Sequence, residues 1–460
     1  MLRQQRRPSL RALTLAVDPA ARFIADETRR IVLADRQFRA GLADIERMRE
    51  KTVLLATTRQ LETVLALIEL DGIAKCVLLF TPNLTPHLGE IIQDAAVDVV
   101  VCDEDGLGHP AIPPMRDYCK YYQLDLPIRT DEMDRSVDTE WVLFTSGTTG
   151  RPKMAVHTLA SLTGPLDDGL AVTSGAMWST FYDIRRYGGL TILFRALLGG
   201  GSMVLSSPSG TSLNAFLTRA GHCGVTHISG TPSHWRKVLM SSAVHAMDPR
   251  YIRMSGEIAD QRILDLLKAA YPTADVAHAF ASTEAGFAFD VRDGLAGFPA
   301  SYVDNPTMKA EMRVINGTLW IRSARTASTY IGKSLPGADG FIDTGDLVER
   351  VTDRYYFRGR AEGVINVGGQ KVFPEEVEAV LAMHPSVIAA QVYGRRNPIT
   401  GAVAAANLVL RADAPALDNH FCSALSKLCR AHLAGWKIPI SFQQVETIQL
   451  TVSGKIARHA

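Results

Sequence analysis

The spacing of apolar positions changes along the chain and divides it into distinct textures. From residue 51 onward, short all-apolar runs alternate with helix-spaced ones. Thr52–Leu55 is a β-type run, and Leu61, Val64, Leu65 and Ile68 then recur at helical spacing until Gly72 interrupts them. Cys76–Phe80 reads as a strand, 86–95 as a helix and Val99–Cys102 as another short buried strand. Strand and helix in alternation predict a parallel sheet covered on both faces. The alternation returns between 190 and 280. There Leu190–Leu193, Met203–Leu205 and Val225–Ser229 read as strands, and 212–220 as a helix opened by Thr211.

After about residue 310 the texture becomes purely β. Met312–Ile315, Thr318–Ile321 and Tyr355–Arg358 are short runs separated by Gly, Asn and Asp turns, as a meander or small barrel requires. A last unit follows Gly359-Arg360, with a helix over 374–383 that has Pro374 in its first turn and Pro385 beyond its end. The expected fold class is α/β. A large N-terminal body of several subdomains, doubly wound mixed sheets plus a small β-barrel, spans 1–360, and a smaller α+β C-terminal domain spans 361–460.

Composition adds exclusions. The chain has 460 residues, 47% hydrophobic and 21% charged, an ordinary globular mixture that excludes disordered, collagen-like and disulfide-scaffold proteins. Its 49 Lys+Arg against 48 Asp+Glu leave a formal charge of +1, so no overall field attracts nucleic acid or an anionic membrane. An anionic ligand must therefore be held by a local device. Six cysteines without a CxxC pair suit a reducing compartment, and Cys422 and Cys429 read as small apolar residues of one helix face. Arg3, Arg6, Arg7 and Arg11 precede the first acid, Asp18, and are expected to mark a poorly ordered terminus rather than a targeting peptide. No run approaches 18 apolar residues, so the expectation is a soluble, cytoplasmic protein.

One segment stands out chemically. Thr145-Ser146-Gly147-Thr148-Thr149-Gly150-Arg151-Pro152-Lys153 follows the strand-like Trp141–Phe144. Glycines let backbone N–H groups point at an anion, the hydroxyls add donors and the lysine adds a positive charge, which together make a phosphate-cradling loop. It lacks the Gly-Lys-Ser/Thr of a Walker A loop. A plain Ser/Thr/Gly turn is the competing reading, but six consecutive hydroxyl or glycine residues ahead of Arg-Pro-Lys are unusual for one.

This loop resembles the signature of the adenylate-forming superfamily, which comprises acyl- and aryl-CoA synthetases, nonribosomal peptide synthetase adenylation domains and luciferases. Further motifs follow in that family's order: Ser282-Thr283-Glu284, Phe341-Ile-Asp-Thr-Gly-Asp346, Phe357-Arg-Gly-Arg360 leading to Gly368-Gly369, and Ser453-Gly-Lys455. The resemblance runs from about residue 50 to the end, with an N-terminal body shorter than in most CoA ligases. It implies that Lys153 and Mg²⁺ hold the β- and γ-phosphates of ATP, with Glu284 and Thr149 at the metal. It implies also that Asp346 and Arg360 reach the ribose or α-phosphate. Read by themselves, Asp346 suits an Asx turn and Arg360 a solvated ion pair. Lys455 becomes the catalytic lysine at the substrate carboxylate, Glu362 the hinge of a mobile C-terminal domain, and Gly368 and Gly369 the lining of a thiol tunnel. Gly256-Glu257 resembles the loop that flanks adenine.

Departures from the pattern bear on the substrate. Phe280-Ala281 replaces the usual Tyr-Gly before Ser282-Thr283, and Tyr182 stands where many CoA ligases have a gate histidine. Asp183 falls where amino-acid-activating members bind an α-amino group, with Arg185 close behind. A buried aspartate needs a cationic or donor partner, either a substrate amine or a neighbouring arginine. His227 and His278 read as core or pocket-lining residues. The resemblance implies an AMP-forming acid–thiol ligase, using ATP, Mg²⁺ and either CoA or a phosphopantetheinyl carrier. The expected partners are a small carboxylic acid and that thiol, with no nucleic acid or membrane, in a monomer or homodimer. The alternatives are a stand-alone enzyme that loads an amino or aryl acid onto a separate, unfused carrier protein, an adenylate-forming relative with a non-thioester ending, and a non-catalytic relative.

Overall fold

The first sheet is built around strands that the sequence marks as apolar on both faces. The computed structural model describes residues 8–17, 22–33, 45–102, 118–120, 135–145, 151–164, 175–206, 211–305, 310–411 and 413–448. Thr52–Leu55, Cys76–Leu79 and Val99–Cys102 are buried at every position and pair in parallel, as strands sandwiched between helices must. Glu140–Thr145 joins parallel to Cys76–Leu79, and the chain then returns antiparallel as Lys153–Thr158. Thr329–Tyr330, from much later in the chain, closes that edge. The helix Gln60–Leu70 is buried along its whole length.

A second sheet runs in the order Gly286–Val291, Asp275–Ser282, Tyr251–Ser255, His227–Gly230, Met177–Thr180, Ser202–Val204, Phe23–Ala25, Arg30–Val32. Its central strands are parallel, so Thr180, Gly230, Ser255 and Ser282 all end at one edge, where open α/β sheets bind their ligands. Leu190–Leu193, expected as a strand, lies instead inside the helix Tyr187–Leu198. That helix packs among Leu65, Trp141 and Trp178 in one core cluster, and a segment apolar all round has no periodicity to separate helix from strand. The next helix, Leu213–His222, is capped by the Ser212 hydroxyl rather than opened by Thr211.

The basic start of the chain is more ordered than expected from Leu10 onward. Leu10–Ala16 is a helix, and Arg11 is buried in an ion pair with Glu69 (2.6 Å), which Arg135 meets from its other side (2.7 Å). Arg11 therefore belongs to a buried Arg–Glu–Arg clasp instead of a solvated arm.

The third sheet is an antiparallel meander in the order Phe298–Pro299, Arg354–Arg360, Phe341–Val351, Thr318–Ser323, Ala310–Ile315, with Gly337–Ala338 beside Phe341–Val351. Among the described residues its two end strands pair on one side only, so this is an open sheet. The last sheet holds Gln370–Val372, Ile365–Val367, Gly401–Leu410 and Val387–Asn397, with Phe442–Gln444 parallel to Gly401–Leu410. Pro374–Leu381 and Asn419–His432 pack with it through Val377, Leu381, Leu408 and Leu425. Cys429 is buried, its thiol pushed up to about 11 by that burial, while Cys422 is only half-buried. No described helix is long and apolar enough to cross a membrane.

Candidate active site

The phosphate-loop candidate sits in the turn of the Glu140–Thr145/Lys153–Thr158 hairpin. Thr145 and Lys153 are direct cross-strand partners at its mouth. Ser146, Gly147, Thr148, Thr149 and Gly150 lie outside the described residues. Along the returning strand Lys153, Ala155 and His157 share one face, because side chains alternate. His157 is wholly buried. Its Nε2 donates to the Thr283 carbonyl at 2.7 Å and its Nδ1 faces the Ser161 hydroxyl at 3.0 Å. Burial drives the ring's pKa down to about 4, so the imidazole is neutral. A neutral ring has one N–H, and a carbonyl can only accept, which places that proton on Nε2. The hairpin is thereby tied to the Ser282–Glu284 turn.

That turn is fixed at three more points. The Ser282 hydroxyl accepts from the Ala285 N–H (3.0 Å), the Glu284 carbonyl accepts from the Ala327 N–H (2.8 Å), and Glu284 Oε1 accepts from the Tyr330 hydroxyl (2.8 Å). Gly286 has φ +76°, and a Cβ there would lie 2.4 Å from the Arg325 carbonyl oxygen, so only glycine lets the two segments meet. The Tyr330 ring, 3% exposed, has the Lys153 ammonium 5.8 Å from its centre. Neither Tyr330 nor His157 was singled out from the sequence. His157 shares a face with Lys153 and was findable by strand alternation, whereas nothing near Tyr330 signals its role.

Asp346 and Arg360 meet because the meander folds their strands together. They are cross-strand partners, with Arg360 Nε 3.2 Å and Nη2 3.4 Å from the two carboxylate oxygens. The Asx-type turn that Asp346 suited is made by Asp343, whose Oδ1 accepts from the Gly345 N–H (3.0 Å). Asp346 is left with its carboxylate facing Arg360. The guanidinium is held further toward its charged form by Asp346, against the opposing effect of burial, and by Glu284. Glu284, Tyr330, Lys153, Arg360 and Asp346 thus form one neighbourhood of alternating charge.

A second group lines the ends of the parallel strands. Tyr182 is half-buried, and its hydroxyl both donates to the Ser255 carbonyl (2.7 Å) and accepts from the Ser255 N–H (3.1 Å). Gly256 follows with φ +88°, and Glu257 accepts from the Ser233 N–H (2.9 Å) in the first turn of Pro232–Leu239. Asp183 pairs with its neighbour. Arg185 Nε and Nη2 reach its two oxygens at 2.8 and 2.6 Å, and Arg185 Nη1 donates to the Thr57 carbonyl (2.7 Å). Of the two readings of Asp183, the arginine pair is the one this geometry supports. Asp183→Ala is therefore expected to destabilise the fold by about 2–3 kcal/mol, because it strands the buried Arg185 charge. Urea unfolding checks this, and an unchanged midpoint would return Asp183 to a substrate-binding role.

The remaining candidates are more scattered. Phe280 stacks on Phe357 (5.0 Å between centroids, 9°) and on Phe289 (5.9 Å, 20°), so its ring is taken up by an aromatic stack. His227 is packed against Trp178, and His278 faces the Leu295 carbonyl. Glu362 lies exposed in the turn Ala361–Gly363. Gly368 and Gly369, with φ +57° and +86°, turn the chain between Ile365–Val367 and Gln370–Val372. Lys455 lies outside the described residues. Among the described residues no group of three or more His, Cys, Asp or Glu gathers to hold a metal. Glu284 nevertheless offers one carboxylate oxygen, Oε2, which has no partner among the described residues. A single carboxylate fits Mg²⁺, which binds through one or two carboxylates plus substrate phosphates.

The chain that carries this arrangement is an enzyme of the adenylate-forming superfamily. The chain belongs to the AMP-binding enzyme family, whose description matches residues 36–331; the AMP-binding enzyme C-terminal domain matches 376–455. The 2-succinylbenzoate–CoA ligase of Bacillus velezensis is 26% identical over 346 residues, covering 70% of this chain and 68% of that protein. The chain thus spans about two thirds of that relative's length. In fold it is similar to the anthranilate CoA ligase AuaEII in complex with anthranoyl-AMP (TM-score 0.82, 18% identity, 98% of this chain and 95% of that one). It is likewise similar to the amide bond synthetase McbA from Marinactinospora thermotolerans (TM-score 0.78, 18% identity, 97% and 98%).

Proposed function

We propose that this protein activates a small carboxylic acid with ATP and transfers the acyl group to the thiol of CoA. In the first half-reaction a carboxylate oxygen attacks the α-phosphorus, the α–β phosphoanhydride bond breaks and pyrophosphate leaves. In the second, the thiolate attacks the acyl carbon and AMP leaves. The observation that carries this reading is the meeting of Lys153, Glu284 and the Asp346–Arg360 pair near Tyr330, from segments far apart in the chain. It places two cations and two carboxylates where a polyanion and a ribose diol can be held together.

Within that reading Thr145 and the loop 146–150 cradle the phosphates, with Lys153 supplying charge at the departing pyrophosphate. Asp346 is suited to accept the two hydroxyls of a ribose, and Arg360 holds its carboxylate in place. Gly256 and Glu257, with Phe280 in the neighbouring strand and Thr283 in the turn after it, flank the base. Glu284 and Thr149 would hold Mg²⁺, which when bound neutralises phosphate charge. Tyr182 closes the acid pocket at the strand ends. Lys455 is brought to the reacting carboxylate by a C-terminal domain, 361–460, that turns about Glu362 against the body 1–360. In the other arrangement Gly368 and Gly369 give a pantetheine arm close backbone approach.

The likeness in sequence to a 2-succinylbenzoate–CoA ligase supports this ending. A second reading, amide formation from the same adenylate, is favoured only by the likeness in fold to an amide bond synthetase. A screen of aryl, amino and fatty acids by pyrophosphate release, with and without CoA, tests both. Acid-dependent release that yields an acyl-CoA is expected. Acid-dependent release with no thioester would move the assignment to the second ending, and no release with any acid would overturn the activation step itself.

A further inference from the structure

Tyr330 holds the Glu284 carboxylate in a way that bears on which cation the site accepts. A carboxylate offers two oxygens. Ca²⁺ takes six to eight ligands at about 2.3–2.6 Å and accepts both oxygens of one carboxylate, whereas Mg²⁺ demands near-octahedral geometry at about 2.0–2.1 Å and takes one. Here Oε1 is occupied by the Tyr330 hydroxyl at 2.8 Å, while Oε2 has no partner among the described residues.

The clamp is rigid because both of its sides are fixed. Tyr330 is 3% exposed and packs against Ala155 and Ala327. Its backbone pairs with Ala155 in the Lys153–Thr158 strand, and the next residue, Ile331, donates to the Met154 carbonyl at 2.9 Å. Three residues earlier, Ala327 donates its N–H to the backbone carbonyl of Glu284 at 2.8 Å. One short segment therefore grips Glu284 at the main chain and at the side chain. Glu284 has no ion pair among the described residues, although Lys153 and Lys333 place their ammonium groups 5.8 and 5.6 Å from the Tyr330 ring centre. Without the hydroxyl the carboxylate is free to swing, to offer both oxygens, or to turn toward a lysine.

We infer that Tyr330 is a positioning residue that presents Glu284 to a divalent cation through one oxygen only, and so selects Mg²⁺ over Ca²⁺. This rests on the reading of Glu284 as the metal-bearing carboxylate. It goes beyond that reading by giving the site a cation preference and naming the group that sets it.

The test measures binding of Mg²⁺, Mn²⁺ and Ca²⁺ to the full chain by calorimetry, in the presence of α,β-methylene-ATP, whose α–β bond does not cleave. Wild-type protein, Tyr330→Phe and Glu284→Gln are compared, and the thermal melt of each is recorded. Tyr330→Phe is expected to weaken Mg²⁺ about tenfold, leave Ca²⁺ within about twofold, and so collapse the Mg²⁺/Ca²⁺ preference. An equal loss for both cations, or no loss, overturns the inference. Glu284→Gln is expected to weaken every cation; if it weakens none, the reading of Glu284 falls and takes the inference with it. Should Tyr330→Phe fail to fold, the wild-type ratio alone decides: binding of Ca²⁺ as tight as Mg²⁺ rejects a one-oxygen clamp.

Discussion

Lys455→Ala is expected to cut acid-dependent ATP–pyrophosphate exchange by about 10²–10³-fold while leaving thioester formation from a preformed acyl-adenylate largely intact. When a carboxylate approaches the α-phosphorus, two anions meet and charge builds on the transferring oxygens. A cation placed there lowers the barrier by about 3–4 kcal/mol, the amount typical of losing one preorganised electrostatic contact. In thioester formation the adenylate already exists and the attacking group is a thiolate, so the same lysine has no comparable charge to offset. Lys153, at the mouth of the phosphate-loop hairpin, gives the contrast, since the proposed function puts it at the departing pyrophosphate. Exchange of labelled pyrophosphate and transfer from synthetic adenylate, measured on one preparation, separate the two. Equal loss in both half-reactions would remove Lys455 from the role.

The second large effect is acid lability below pH 6.5. His157 is buried and His234 half-buried, and the loss of solvent lowers each ring to about 4 from an ordinary 6.5. Their neutral forms are favoured in the folded protein, so unfolding takes up protons and stability rises with pH. The contribution is fully present above pH 6.5 and drains away as pH falls toward 4. For each histidine it amounts to about 2–3 kcal/mol by pH 4.5, a large share of a typical total. Asp71 works in the opposite direction, because burial raises its carboxyl and its contribution grows as pH falls. Urea unfolding followed by fluorescence of the buried Trp141, Trp178 and Trp235 across pH 4.5–7 should show the decline. A flat profile would mean that the rings are protonated without cost.

What could be read from the sequence depended on whether a contact was written locally. Thr145 and Lys153 flank one turn and Asp346 and Arg360 flank one hairpin, so short motifs already implied their meeting. Tyr330 escaped because its place depends on a two-residue edge strand pairing with a segment far back in the chain, which leaves no period to detect. Asp343 and Asp346 are both plausible turn formers three residues apart, and only the fold shows which accepts the Gly345 N–H. Leu190–Leu193 reads as a strand because a helix so largely buried lacks the polar face that would mark it. Arg11 reads as part of a basic, poorly ordered terminus because its partner Glu69 lies 58 positions away, in a helix that is itself wholly buried.

The strand Phe23–Ala25 lies beside Ser202–Val204, and the Phe23 N–H donates to the Ser202 hydroxyl across 179 positions of chain. During synthesis that strand emerges first and then waits for its neighbour. At about 5–20 residues per second the wait is roughly 10–40 s. Until then its sheet partner among the described residues is the antiparallel Arg30–Val32 alone, and a lone hairpin is marginal in water. The nascent chain therefore carries an unpaired strand edge outside the ribosome for that interval, the kind of site at which a chaperone contact or a mispairing with another chain would fall.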